Sequence, residues 1–335
     1  MQIEKNFSLR NYLTFHTNTQ CKYYCCVTSN KDIIDVLNKI PHDEKKYVLG
    51  NGSNTLFKSD YFDGLVIHNC IDYYDQVAND KNYAYFNVGA GMDFTAFVLW
   101  GVNNDYYGIE NLVGIPGSVG GAVVQNVSAY GMEISNSIES VHGLDIDTLE
   151  DIKIYGKDCE FGYRDSIFKH DLNKMIITDV TFKLAHKAPF VLTYPIIENS
   201  LYDRKMLVNI NNIAEIIQEI RKIKLPDHNI YGNAGCFFKN PIISLEKYES
   251  LLKYRDIRTC AKFKDTVKIS AAYLIEQCGL KGIIKGNVGI YSQHSLVIIN
   301  RNNASSDEII QFSEYVSDTV NKQFGIKLEP EVCII

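Results

Sequence analysis

The sequence predicts an α+β fold built from more than one domain, and three observations carry that reading. The chain has 335 residues, beyond the size at which a single hydrophobic core stops growing. Strand-like and helix-like patterns follow one another without the regular strand–helix–strand alternation that a parallel sheet requires. Apolar residues make up 46% of the chain and are spread along all of it, which excludes a disordered protein.

Taken in order, KDIIDVLNKI at 31–40 places Ile33, Ile34, Leu37 and Ile40 on one helical face. KYVLG at 46–50 and GLVIHN at 64–69 read as strands, with the loop GNGSNTLF between them. AYFNVGAGM at 84–92 is a strand with a glycine-rich end, and DFTAFVLWGV at 93–102 is a helix that Asp93 can cap. This helix carries the only tryptophan, Trp100, assigned to the core. A glycine-rich stretch occupies 108–131, and strands and turns follow to about 185. The second half holds helices at about 209–223, 269–278 and 306–323 and a strand at 295–300, a mixture that points to antiparallel sheets.

Charge and composition exclude several classes of function. Lys+Arg 34 against Asp+Glu 40 gives a net charge of -6, the wrong sign for a broad nucleic-acid surface. No apolar run is long enough for a membrane helix, and the first twenty residues have no apolar segment of the secretory kind. The expected location is the cytoplasm. The nine cysteines, Cys21, Cys25, Cys26, Cys70, Cys159, Cys236, Cys260, Cys278 and Cys333, are odd in number and form no CxxC pair. In a reducing compartment most are expected to be small buried hydrophobes. The eight histidines show no HExxH or paired spacing, so no metal site is expected.

Two glycine-rich loops carry the functional signal. Gly50-Asn51-Gly52-Ser53-Asn54 follows a strand directly. Its glycines allow positive φ and close approach of the backbone to a ligand, and successive N–H groups can form an anion site. Alone, the loop reads more readily as a polar turn. Gly114-Ile115-Pro116-Gly117-Ser118-Val119-Gly120-Gly121 has four glycines and a proline among apolar residues, with Gln125, Asn126 and Ala129-Tyr130-Gly131 beyond it. A cofactor with a pyrophosphate lying against exposed backbone would need such a loop. Neither loop fits GxGxxG, and no Walker A motif occurs, so a bound dinucleotide requires a fold other than the Rossmann or P-loop type.

These loops, with FGYRDSIFK at 161–169, LTY at 192–194, KLPD at 224–227, GNAGCFFKNP at 232–241, SAAYLIEQCGLKG at 270–282 and LEPEV at 328–332, occur in the order seen in one family. The chain resembles the UDP-N-acetylenolpyruvoylglucosamine reductases, in their longer subtype with the tyrosine loop. The resemblance spans nearly the whole chain. It implies a vanillyl-alcohol-oxidase-type FAD-binding fold of two subdomains, 1–72 joined by 329–335 and then 73–205. A C-terminal α+β substrate-binding domain would occupy 206–328. It implies non-covalent FAD against Gly50 to Asn54, Gly114 to Gly120, Gln125, Asn126, Ala129, Tyr130, Gly131 and Ile177, with the reactive ring facing Cys236.

By the same resemblance, FAD accepts hydride from NADPH. The enolpyruvyl UDP-sugar then takes the place of the oxidised nicotinamide and receives hydride at its β-carbon, in peptidoglycan precursor synthesis. Arg164 and Glu331 would stabilise the enolate-like charge, because a guanidinium pairs with a carboxylate and a protonated acid can donate to it. Cys236 stands at the proton-donor position, commonly serine in relatives; a thiol, with a reference pKa of about 8.5, is mostly neutral at pH 7 and can donate. Tyr194, Lys224, Asn240, Lys281 and His294 match substrate positions, and Arg221 and Lys239 are weaker candidates. Taken singly, each could be ordinary surface chemistry: Arg164-Asp165 an ion pair, Glu331 a solvated strand residue, Tyr194 one of 22 tyrosines. Cys333 departs from the basic residue that many relatives carry after LEPEV. No nucleic-acid or membrane partner is expected, and the chain is expected to be a monomer.

Two rivals remain. An oxidase of small alcohols on the same scaffold would leave GNAGCFFKNP and LEPEV without a role, and no histidine near GNGSN offers a covalent flavin tether. A nucleotide-sugar-binding protein without catalysis would not need Arg164, Cys236 and Glu331 together.

Overall fold

The computed structural model describes residues 1–253 and 256–335. The backbone divides into two compact units. The first comprises 1–7, 21–51 and 63–221, and the second 8–20, 52–62 and 222–335. Sequence-distant segments therefore fold together, and the boundary runs through the GNGSN loop, between Asn51 and Gly52.

The first unit is built on two sheets. One has the strand order Glu4–Ser8, Gln20–Val27, Tyr61–Asn69, Lys46–Leu49, the last two being parallel. Its apolar face, with Cys25, Val27, Leu65 and Ile67, packs on Ile33, Val36 and Leu37 of the helix Asn30–Leu37. Ser29 caps that helix by accepting from the Asp32 amide.

The other sheet is antiparallel, ordered Asp151–Tyr155, Ile138–Asp145, Met175–Ala185, Tyr83–Gly89, Tyr74–Asn79. Met175–Ala185 is paired on both sides, and most of its side chains are buried. The helices Phe94–Asn103, Val119–Val124 and Pro195–Asp203, and Ile210–Ile220 of the helix Ile210–Lys224, bury their apolar faces in the same core. Asp93 caps Phe94–Asn103 as expected, accepting from the Ala96 amide. Trp100 lies at the margin of this core, stacked on Tyr106 and edge-on to Phe86, because the helix turns Phe97 and Val98 inward ahead of it.

The second unit carries two three-stranded antiparallel sheets, ordered Ile242–Ser244, Thr266–Ile269, Thr259–Lys262 and Ile284–Lys285, Val288–Ile290, Ile298–Asn300. The helices Leu245–Leu252, Ala271–Gln277 and Ser306–Phe324 complete it. The last starts with a reciprocal capping box, Ser305 with Glu308, and ends at Gly325 with φ 64. The predicted strand at 295–300 is shorter than its apolar run. Val297 donates to His294 in a turn and bridges Cys236, and pairing with Val288–Ile290 starts only at Ile298.

The burial expected of most cysteines is corrected. Cys21, Cys25 and Cys159 are buried, but Cys26, Cys260 and Cys333 are exposed and Cys70, Cys236 and Cys278 are half-buried. The alternation of a strand is one cause: Cys25 faces the core, so Cys26 must face outward.

Candidate functional site

In the first unit the loop Gly114–Ser118 is laid against the turn that follows strand Tyr83–Gly89. The Phe94 amide donates to Gly117, Val119 to Met92 and Gly120 to Ala90, each at 2.9 Å. Close approach dictates the glycines. A Cβ on Gly120 would meet that of Ala90 at 3.0 Å, and one on Gly50 would lie 2.2 Å from Ser118 Oγ. Ser118 is buried and caps the helix Val119–Val124 by accepting from the Gly121 amide. Asn51 donates to Asp93, so in the first loop Gly50 meets Ser118 of the second and Asn51 meets the turn against which the second is laid. Arg221 Nε donates to the Gly114 carbonyl at 3.0 Å. The exposed Pro116 and partly buried Ile115 stand at the outer edge of the loop.

Gln125 and Asn126 organise what lies beyond. Asn126, at φ 43, donates to the Gly162 carbonyl at 2.8 Å. Gln125 accepts from Lys169, whose ammonium also donates to the Arg164 carbonyl at 2.8 Å. Arg164 has φ 57, a left-handed conformation that a non-glycine residue rarely adopts. Its guanidinium donates to Ser128 Oγ at 2.6 Å and lies near the ring of Tyr163. The bonds from Lys169 and to Ser128 fix Arg164 from both sides. Sequence reading missed both residues, although Lys169 ends the quoted FGYRDSIFK motif.

Asn111, fully buried, donates to the carbonyls of Tyr130 and Val191, each at 2.9 Å. It ties the Ala129-Tyr130-Gly131 turn to the LTY segment. Tyr194 is exposed, and its ring meets that of Tyr130 edge-on at 5.5 Å. Gly131 is required here, with φ 83 and a Cβ position 2.3 Å from Thr193 Oγ1. Ile177 is buried in the central strand, and its carbonyl accepts from Asn69 at 2.8 Å.

In the second unit Gly52, at φ 61, passes so close to Tyr12 that a Cβ would lie 1.9 Å from its carbonyl oxygen. Asn54 Nδ2 donates to the Glu331 carbonyl at 3.2 Å, and Cys333 donates back to Asn54 at 3.0 Å. The parallel pairing of Cys333–Ile334 with Thr55–Leu56 follows. The proline-bearing tail also pairs with GNAGCFFKNP: Lys239 donates to Glu329 at 2.9 Å and Glu331 to Phe237 at 2.7 Å. Glu331 and Cys236 thus stand on adjacent chain segments, both half-buried. Ser53 belongs to the same short loop.

Asn233, which sequence reading passed over, shapes the cysteine turn. Its Oδ1 accepts from the Gly235 amide at 2.9 Å, and its Nδ2 donates to Tyr231 at 2.8 Å and to Pro226 at 3.3 Å. The KLPD loop is thereby tied to the turn before Cys236. Lys224 ends its helix exposed.

Three candidates have structural bonds of their own. Asn240 accepts from the first amide of the helix Ala271–Gln277 at 2.9 Å. Lys281 pairs with Glu276 at 3.0 Å, to which Ser295 also donates at 2.8 Å. Burial raises the Glu276 carboxyl, but the bonds from Ser295 and Lys281 outweigh it and leave the group below the ordinary glutamate value. His294, beside Ser295, accepts at Nδ1 from the Leu296 amide at 3.2 Å.

The fit to a cofactor rests on the first unit. Gln125 Nε2 is buried with no hydrogen-bond partner among the described residues, and a buried donor left unmade costs about 1–3 kcal/mol. Lys169 fixes the amide's oxygen, so the nitrogen is presented as a donor. With the close-packed glycine loops, it suits a ligand rich in acceptors such as FAD.

Comparison with known proteins places this geometry. Residues 226–335 match the model for the UDP-N-acetylenolpyruvoylglucosamine reductase C-terminal domain, and residues 21–150 that for an FAD binding domain. The UDP-N-acetylenolpyruvoylglucosamine reductase of Flavobacterium johnsoniae is 36% identical over 100% of both chains. That of Amoebophilus asiaticus is 38% identical, also over 100% of both. That of Aliivibrio fischeri is 37% identical over 99% of this chain and 94% of its own. In fold, the crystal structure of UDP-N-acetylenolpyruvylglucosamine reductase from Thermus caldophilus matches with a TM-score of 0.69 at 23% identity, covering 100% of this chain and 99% of that one.

Proposed function

Because the chain belongs to the UDP-N-acetylenolpyruvoylglucosamine reductase family, we propose that it reduces the enolpyruvyl ether of UDP-N-acetylglucosamine to UDP-N-acetylmuramate for peptidoglycan synthesis, using FAD and NADPH. The observation that carries the assignment of its catalytic groups is the pairing of Phe237–Lys239, directly after Cys236, with Glu329–Glu331, which supports a thiol and an acid acting at one centre. Bound FAD would supply two-electron transfer from NADPH to the enol ether.

The chain's own residues do the rest. Gly50 to Asn54, Gly114 to Gly120, Gln125, Asn126, Ala129 to Gly131 and Ile177 hold and orient the cofactor. Arg164 pairs with the substrate carboxylate and takes up charge that develops next to it. Its strained backbone pre-sets the guanidinium, so less ordering is left to the reaction. Glu331 donates a hydrogen bond to the same charge. Cys236 delivers the proton to the α-carbon, and its thiol must stay reduced to do so, consistent with a cytoplasmic enzyme.

Tyr194, Lys224, Asn240, Lys281 and His294 bind the nucleotide sugar, in a site that NADPH and substrate use in turn. The division into 1–72 with 329–335, 73–205 and 206–328 belongs to this reading, and the pairing of Cys333–Ile334 with Thr55–Leu56 supports joining the tail to the first part.

The test is anaerobic. NADPH should bleach the flavin of the purified enzyme, and the enolpyruvyl UDP-sugar should restore its absorbance. Bleaching without recovery would refute the substrate, and a protein purified without flavin would refute the cofactor.

A further inference from the structure

Cys26, His68 and Cys70 lie far apart in sequence, yet their ligand atoms come within 4.8 Å of one another. The sheet of the first unit brings this about. Cys26 is on strand Gln20–Val27 and His68 on its neighbour Tyr61–Asn69. Cys25 and Ile67 face the core, so by strand alternation Cys26 and His68 face the other way. The chain leaves the second strand at Cys70, whose amide donates to the Val27 carbonyl at 2.8 Å. That bond draws the second thiol back beside the first, with the two sulfurs within 4.8 Å of each other.

We propose that Cys26, His68 and Cys70 form a zinc-binding site on the outer face of this sheet, separate from the residues assigned to flavin and substrate. Two thiols and an imidazole are the donor set that favours a thiophilic ion of this kind. Around tetrahedral zinc, such donors sit roughly 3.4–3.8 Å apart, from Zn–S of about 2.3 Å and Zn–N of about 2.0 Å. Side-chain rotation of about an ångström closes the cluster.

An orienting partner is also present. The Tyr24 hydroxyl lies 2.8 Å from His68 Nδ1, and Phe7 stacks on the Tyr24 ring with centroids 3.8 Å apart, which holds the hydroxyl in place. With Nδ1 protonated and donating to that oxygen, Nε2 carries the ring's lone pair toward the metal. Cys26 is exposed and His68 and Cys70 are half-buried, so an ion can enter and water completes the fourth position. Each Zn–S bond forms as a thiol proton leaves to buffer, and no oxidant takes part.

The full-length flavoprotein, reduced and stripped with chelator, is titrated with cobalt(II) and then zinc(II). One cobalt per chain with a thiolate-to-metal absorption band, displaced by zinc, is the expected result. Cys26→Ser with Cys70→Ser should weaken zinc binding at least about 100-fold, His68→Ala and Tyr24→Phe each by about 10-fold or more, and Cys260→Ser should leave it unchanged. Zinc should also slow alkylation of Cys26 in the unsubstituted chain, a readout that does not depend on any variant folding. The absence of a thiolate band, a band that survives the double substitution, or alkylation of Cys26 at one rate with and without zinc would each overturn the site. So would a Cys26–Cys70 disulfide that forms in air while the reduced pair ignores zinc.

Discussion

The amide of Glu331 donates to the carbonyl of Phe237 at 2.7 Å, which fixes the acid of the C-terminal tail beside the residue that follows Cys236. In the proposed chemistry these two side chains act on one developing charge, so they should fail in the same half of the reaction. Cys236→Ser should retain substantial turnover, because a hydroxyl can still donate. Cys236→Ala and Glu331→Ala should each lower the rate of flavin reoxidation by the UDP-sugar about 100-fold or more, with flavin reduction by NADPH unchanged. Stopped-flow absorbance of the two half-reactions separates these effects, and near-normal reoxidation in Cys236→Ala would remove the thiol from the mechanism.

Asn233 should behave as a positioning residue. Its amide closes the Gly235 turn and ties it to Pro226 and Tyr231. Asn233→Ala should lower stability by about 1–3 kcal/mol and slow reoxidation more than reduction. Urea denaturation and the same half-reactions test this, and equal slowing of both halves would indicate only a loosened fold.

Lys169 reaches both the Arg164 carbonyl and Gln125. Lys169→Met should leave the guanidinium chemically intact but less well held, lowering kcat about 10-fold, with partial recovery in Lys169→Arg. A variant with unchanged kcat and pH profile would show that Arg164 holds its backbone without help.

Two glycines with nearly the same φ make a paired test of crowding. Gly52, at φ 61, has the Tyr12 carbonyl where a Cβ would go; at Gly235, with φ 68, a Cβ would meet nothing within 4 Å among the described residues. Gly235→Ala should cost about 1 kcal/mol, the left-handed penalty alone. Gly52→Ala adds a steric clash worth about 1–3 kcal/mol more. Equal midpoints in urea would contradict this account of the Gly52 turn.

Glu110 carries a pH dependence whose sign follows from its burial. Desolvation raises its carboxyl above the ordinary glutamate value, against the opposing bond from the Gly108 amide at 2.7 Å. A raised folded value means that this group's contribution to stability is fully present below the unfolded value and is lost as pH rises through the folded one. The wild type should therefore lose stability relative to Glu110→Gln as pH climbs from about 4 toward neutral, a range that begins near the reference glutamate pKa. Parallel stability curves for the two proteins would contradict it.

Residue order in this chain was enough to identify the family and the motifs proposed to form the site. The glycine loops, FGYRDS, GNAGCFFKNP and LEPEV are contiguous, and their chemistry is carried by residue type and by backbone freedom that glycine alone provides. The capped helices were legible for a similar reason: Asp93 marks a helix start through bonds made within a few residues. The edges of short strands were not, because Ser295 to Val297 have strand residues but lie in a turn, with Leu296 and Val297 meeting the distant Cys236–Phe237 segment instead of the strand Val288–Ile290.

What the sequence determined by itself was the fold class, the family and the local motifs. Tertiary structure alone decided which distant residues meet. Lys169 on Gln125, Arg164 on Ser128 and Asn54 on the Glu331 carbonyl are long-range bonds with no local signature. The cysteines show the difference most directly. Cys26 and Cys70 have no motif spacing, and composition marked them as inert. The pairing of two strands, with alternation turning one face outward, sets both beside His68, because register across a sheet is fixed by the packing of its buried face.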